Sequence, residues 1–190
     1  MPKPFLQRVA HDELPADMRS AHDVSMHLRG DATFFEVFGN HPELYRWYTE
    51  SFYGEVFRGG LVDLRIKELV RLRLSTLHGC RFCNQGNRAD AIKAGLSDDE
   101  IDALGDFESG PFSERDKAAL RLADELRLTN CDGVLDGKLY DSLSEHFSDA
   151  EILELGLVLG VLAGMAKFLF AFDLVEKEPD CPFPGTIVNG

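Results

Sequence analysis

LRIKELVRLRLSTLHGCRFCNQGNRADAIKAG, residues 64–95, holds two helices and the break between them. Behind Asp63, a residue suited to an N-cap, Leu64, Ile66, Leu69, Val70, Leu72, Leu74 and Leu77 recur at helical spacing. Gly79 is placed to stop the first helix, and Gly95 stands at the C-cap position of the second, which the cysteines open. Cys80 and Cys83 are three residues apart, so on a helix they face the same way and reach each other for a disulfide within the first turn. The start of a helix also offers free N–H groups and the positive end of the macrodipole, both of which favour a thiolate. Arg81 and Arg88 beside the cysteines, and Arg71 and Arg73 before them, add positive charge.

Outward from this stretch the punctuation stays helical, and alternating β-branched runs are nearly absent. NHPE at 40–43 predicts a helix with Asn40 as N-cap, running through LYRWYTESFYGEVF to Gly59 and Gly60. Ser97 with Glu100, Ser113 with Asp116, and Ser148 with Glu151 are three capping boxes, each ahead of an apolar run. The run after Ser113 is amphipathic, whereas GLVLGVLAGMAKFLFAFDLV (156–175) is apolar nearly all round. Lys167 within it, and Glu151 and Glu154 just before it, favour a buried helix over a membrane span, with Gly156, Gly160 and Gly164 where another helix approaches closely. ELVRLRLSTLHGCRF from Glu68 and ELGLVLGVLAGMAKF from Glu154 also align without a gap, as if one helical unit were used twice.

The 190 residues, 44% hydrophobic and 28% charged, suit one soluble all-α domain. Thirty-three acidic against 20 basic residues give a net charge of -13, which disfavours nucleic acid and anionic lipid surfaces as partners. The N-terminus lacks the apolar core of a signal peptide, which points to a reducing cytoplasm, where cysteines are thiols with chemistry rather than a disulfide framework.

Three readings of Cys80 and Cys83 compete: a redox dithiol, half of a metal site, or two core-packed residues. Zinc needs about four ligands, and His22, His27, Cys131 and His146 show no matching spacing, so no metal or cofactor is expected. A Cys-His hydrolase has no use for the second cysteine. The redox reading is favoured for a Cys-x-x-Cys at a helix start in a cytosolic chain. Asn87, one turn beyond Cys83, can orient a water or hold a sulfur oxygen but carries no protons. Glu68 and His78 are then the acid/base candidates. Glu68 reaches the thiols only if the chain turns back near Gly79, and a helix-end role for His78 competes with a catalytic one.

The run from His41 to Leu104, including Glu68, eleven intervening residues and then Cys80 and Cys83, resembles the core of the alkylhydroperoxidase D-like and carboxymuconolactone decarboxylase family. The likeness continues through FSERDKAALRLADEL and HFSDAEILELGLVLG, as in the peroxidase-related members. The resemblance implies a single all-helical domain over 1–190 with a cysteine-bearing core at 40–105, assembled as a trimer, hexamer or other homo-oligomer. It implies a thiol-dependent reduction of hydroperoxides in which Cys83 attacks, Cys80 resolves, Glu68 belongs to the proton relay, and an outside thiol reductant reopens the disulfide. The family's peroxidases carry a histidine where this chain has Asn87. Either His78, Glu68 and water do that work, or the dithiol is kept without efficient turnover.

Two other classes stay open at this point. One is a non-catalytic protein binding a ligand or partner beside Trp47, Tyr48, Phe52, Tyr53 and Phe57, which as a set are more often core or interface. The other is a lyase or isomerase acting on a carboxylated ring compound, which needs Arg71, Arg73 or Arg88 to face a pocket. Cys131 and Cys181 read as bystanders, and the proline-rich CPFPG tail as a segment able to reach a neighbouring subunit.

Overall fold

The computed structural model describes residues 1–183, and among these every regular element is helical. In order these are α1 (Ala16–Arg29), α2 (Thr33–Phe38), α3 (Pro42–Arg46) continued by a π-helix (Trp47–Arg58), α4 (Leu64–His78), α5 (Arg81–Lys93), α6 (Asp98–Ala103), α7 (Glu114–Glu125), α8 (Gly137–Ser144) and α9 (Asp149–Ala171). Short 3-10 turns precede α1 and follow α6.

Helix α4 is the axis of the molecule, packed against α5, α7 and α9. Eleven of its fifteen residues are buried, and four of those, Lys67, Glu68, Arg71 and Arg73, are charged. A buried charge is tolerated only when paired and hydrogen-bonded, and each of the three buried cations of α4 ties it to a different neighbour. Lys67 Nζ donates to Val56 O (2.8 Å) and pairs with Glu154 of α9. Arg71 bridges Glu68 to Asp90 of α5, and Arg73 forks onto Asp124 of α7 at 2.8 and 2.9 Å while donating to Leu104 O. The leucines between them serve two apolar clusters: Ile66, Val70 and Leu74 face α7 and α9, and Leu69 and Leu72 face Ala91, Ile101 and Leu120.

The stop and start signals act as read. Asp63 caps α4 by accepting from Ile66 N–H at 3.0 Å, and all three serine capping boxes are formed. Gly79 closes α4 at φ 63°, a left-handed conformation that glycine adopts without strain. Helix α3 differs: His41 is its N-cap residue and Pro42 its first, and the Asn40 side chain instead donates from Nδ2 to Gln7 O and Val37 O. The expected continuous α-helix also widens after Arg46 into the π-helix, where Tyr48 and Phe52 stack with ring centroids 5.7 Å apart. Helices α1, α2 and α8 carry no strong sequence signal and enter only with the structure.

Helix α9 is, among the described residues, the one helix long and apolar enough to cross a membrane. It packs instead against α4, α7 and α8, burying Ile152, Leu155, Val158, Leu159 and Leu162. Its glycines depart from expectation: a Cβ at Gly156, Gly160 or Gly164 would meet nothing within 4 Å, so among the described residues no helix of this chain approaches there. After α9 the chain folds back on itself. Glu178 N–H donates to Gly79 O (2.8 Å), Phe82 N–H to Glu176 O (3.2 Å), and the Cys181 thiol to His78 O (3.0 Å). Through Phe183 the tail lies on its own chain; the rest of CPFPG is outside the described residues.

Candidate active site

The turn at Gly79 sends α5 back along α4 and leaves Cys80 as the N-cap of α5, with Cys83 at its third position. The two sulfurs are bonded, with Cα atoms 5.2 Å apart. Cys80 is 1% exposed and its Sγ accepts from Cys83 N–H at 3.3 Å, whereas Cys83 is only partly buried. The first-turn N–H therefore stabilises the sulfur of Cys80, and Cys83 is the one that solvent and ligands can approach.

Both cysteines line a cavity of about 600 Å³ bounded by α1, α2, the π-helix, α4, α5 and α9. Its wall is largely apolar, with Phe34, Tyr45, Tyr48, Phe82, Leu162 and Leu169 among the lining residues. Three arginines, Arg29, Arg58 and Arg71, reach it, together with Asp17 and Asp90. Arg29 comes from α1: its Nε donates to Phe82 O (3.2 Å), its guanidinium packs 4.6 Å from the Phe82 ring, and a Cβ at residue 86 would collide with it. Gly86 thus makes room for a cation beside the first turn of α5, one helical turn from Cys83. Burial, with the nearby Arg71 charge, holds the Arg29 pKa below its ordinary value against the pull of Asp90.

Of the residues picked out by sequence, Cys80, Cys83, Asn87 and His78 all line the cavity. Glu68 is buried outside the lining, bonded to Arg71 at 2.8 Å, and Arg71 in turn holds Asp90 at 3.0 Å. Desolvation raises the Glu68 pKa in spite of Arg71. Burial works against the Arg71 charge, yet Tyr53, Glu68 and Asp90 raise its pKa above the ordinary value. His78 accepts Leu128 N–H at Nε2 (3.1 Å), and burial lowers its pKa to about 4. It is a neutral imidazole bracing the chain after α7, with one nitrogen already used.

Arg73 and Arg88 do not face the cavity: the first is held by Asp124, the second by Asp98 and Asp102 on the surface. In the aromatic set, Tyr48 and Tyr53 line the cavity, Phe52 and Phe57 are core, and Trp47 is exposed. Sequence reasoning missed Arg29, Arg58 and Asp90. Gly86, in the middle of a helix where glycine costs about 1 kcal/mol relative to alanine, was the available signal that something packs close at α5. Among the described residues, no cluster of three or more metal-ligating groups lies at the cavity.

Residues 42–125 match the model of the carboxymuconolactone decarboxylase family. A Bacillus subtilis protein described as uncharacterized protein YdfG is 32% identical over 99 residues, covering 52% of this chain and 67% of that one. Among solved structures, a peroxidase-related protein of Ralstonia eutropha JMP134 with an alkylhydroperoxidase AhpD core superposes with a TM-score of 0.71 over 94% of both chains at 14% identity. The debrominase Bmp8 does so with a TM-score of 0.72 over 93% of this chain and 94% of its own, at 15% identity. With the dithiol at the helix turn inside the matched segment, the chain belongs to the carboxymuconolactone decarboxylase family and has the alkylhydroperoxidase D-like helical fold.

Proposed function

We propose that the protein is a cytoplasmic, homo-oligomeric thiol peroxidase that reduces hydroperoxides through Cys83 and Cys80. The observation that carries this reading is the asymmetry of the pair: Cys83 opens on a mostly apolar cavity while Cys80 is buried behind it with its sulfur held by a helix N–H. The Cys83 thiolate attacks the terminal peroxide oxygen, the O–O bond breaks, and the alcohol leaves with a proton. The Cys80 thiolate then displaces hydroxide from the Cys83 sulfenic acid, forming the disulfide, and an external dithiol returns two electrons and two protons.

Arg29 and the N-terminus of α5 supply the positive field that favours the thiolates. Glu68, raised in pKa, is the group suited to give up a proton, and His78, neutral and already bonded, is not. In this reading Asn87, which lines the cavity, orients rather than titrates. Self-association is supported by the unpacked face of α9, where Leu153 and Leu157 stand exposed beside an apolar groove of about 540 Å³ that α7 and Val134 also line.

A second reading has one observation in its favour. The similar fold of Bmp8 belongs to a debrominase, and two thiols facing an aromatic-lined cavity supply the electron pair that reductive removal of a halogen consumes. Of Arg71, Arg73 and Arg88, which the lyase reading needs at a pocket, Arg71 alone lines the cavity, and it is already shared between Glu68 and Asp90.

The test is to reduce the protein, add one equivalent of cumene hydroperoxide, alkylate the free thiols and map protection by mass spectrometry. Protection of Cys80 and Cys83 within seconds, absent in Cys83→Ser, is expected. If both stay alkylatable over minutes, the peroxidase reading fails. Bromide release from a brominated pyrrole by the reduced protein would then favour the second reading.

A further inference from the structure

A cluster at the N-terminal edge lies apart from the dithiol cavity. The 3-10 turn His11–Glu13 packs on α1 and brings His11 against His22 and Asp23, the two imidazoles edge to face at 4.9 Å. One ring nitrogen of each histidine and a carboxylate oxygen of Asp23 all lie within 4.8 Å of one another. Asp23 Oδ1 is 2.9 Å from His11 Nε2 and 3.4 Å from His22 Nδ1. Zinc bound at about 2.0–2.1 Å by such ligands sets neighbouring donors of a tetrahedron roughly 3.3 Å apart, so the side chains need small adjustments to converge on one ion.

The second nitrogen of His22 strengthens the case. Nε2 lies 3.4 Å from Glu36 Oε1, and Glu36 is itself fixed by Arg8. Donation of Nε2–H to Glu36 turns the Nδ1 lone pair toward Asp23 and His11, the way a carboxylate fixes the tautomer of a metal-binding histidine. His22 is buried, while His11 and Asp23 are exposed, which leaves the remaining coordination positions open to water. Two imidazoles and one carboxylate suit zinc, nickel or copper rather than calcium or magnesium.

We propose that His11, His22 and Asp23 bind one divalent transition-metal ion of the zinc class, with Glu36 orienting His22. Sequence spacing hid the set, because the eleven positions from His11 to His22 close only when the 3-10 turn folds onto α1. A bound ion pins the N-terminal segment to the helix whose Ala21 and Val24 wall the cavity.

The test titrates the full chain, its Cys80–Cys83 disulfide formed and its other thiols alkylated, with Zn²⁺ by calorimetry and with Co²⁺ by absorption. One ion per chain is expected. His11→Ala and Asp23→Asn, both at exposed positions, should weaken binding at least tenfold, and Glu36→Gln roughly tenfold or more. The exposed control His41→Ala should leave it unchanged. The proposal is overturned if Zn²⁺ does not bind, or if His11→Ala and Asp23→Asn bind as the parent does.

Discussion

The stretch from Glu68 and the stretch from Glu154 align residue for residue, and the fold uses them in opposite ways. In the first, Gly79 breaks the helix after His78, so the chain turns and presents Cys80 and Cys83. In the second, α9 runs unbroken from Asp149 to Ala171, and the aligned positions Ala166 and Leu169 are apolar wall. Both sets line the same cavity, one holding the sulfurs and the other the apolar surface. The aligned glutamates diverge as well. Glu154 accepts from Lys67 and from the N–H groups of Leu61 and Val62, and its pKa is lowered although burial opposes this. Glu68 has only Arg71, shared with Asp90, and desolvation raises it. A carboxylate with several donors is a structural tie, and one with too few is poised to take up a proton.

Exchanging each glutamate for its amide separates these roles. Glu154→Gln removes the counter-charge of Lys67, which is fully buried, and should cost about 3–5 kcal/mol in urea unfolding. The rate at which peroxide protects Cys83 from alkylation should stay within about twofold in the fraction that remains folded. Glu68→Gln leaves Arg71 with Asp90, so its stability cost should be smaller, while the peroxide reaction slows about 100-fold, the contribution of one acid/base group. Equal losses of stability in the two variants would erase the contrast.

The imidazole at the break is the next point of difference, since α9 has Gly164 where α4 has His78. His78 has a pKa of about 4 in the folded chain against 6.5 unfolded, so the unfolded state binds the proton first. Stability from this group is complete above pH 6.5 and is lost as pH falls toward 4, by about 3 kcal/mol. His78→Gln, which keeps an acceptor for Leu128 N–H, should flatten that part of the stability profile, measured by urea unfolding at pH 7 and pH 4.5.

Legibility followed the physics of range. Signals that act over three or four residues were readable: Asp63, Gly79, the serine caps and the dithiol turn all lie in local sequence. The π-helix was not, because its aromatic residues fit an α-helix as well and its far end is held by Lys67 and Glu154 from distant parts of the chain. Within the site, Cys80, Cys83 and Asn87 shared a helix face and were found, while Arg29 arrives from α1 across a gap that only Gly86 betrays. His78 was picked for its chemistry, but its bond to Leu128 depends on where the chain after α7 comes to rest.

The smallest effect tests what the second copy of the pattern is for. Gly160 sits inside α9 with open space where a side chain would go, and alanine in a helix interior is favoured over glycine by about 0.5–1 kcal/mol. Gly160→Ala should therefore raise the stability of the dilute chain by that amount and leave the reaction of Cys83 with peroxide unchanged. If a second chain packs its backbone on this face, the added methyl should lower the sedimentation-average mass at micromolar concentration while the dilute chain gains stability. A stability gain with unaltered mass would assign the glycines to solvent and move the subunit contact to Leu153 and Leu157, one turn of helix away, where the apolar surface is exposed but no backbone approach is needed.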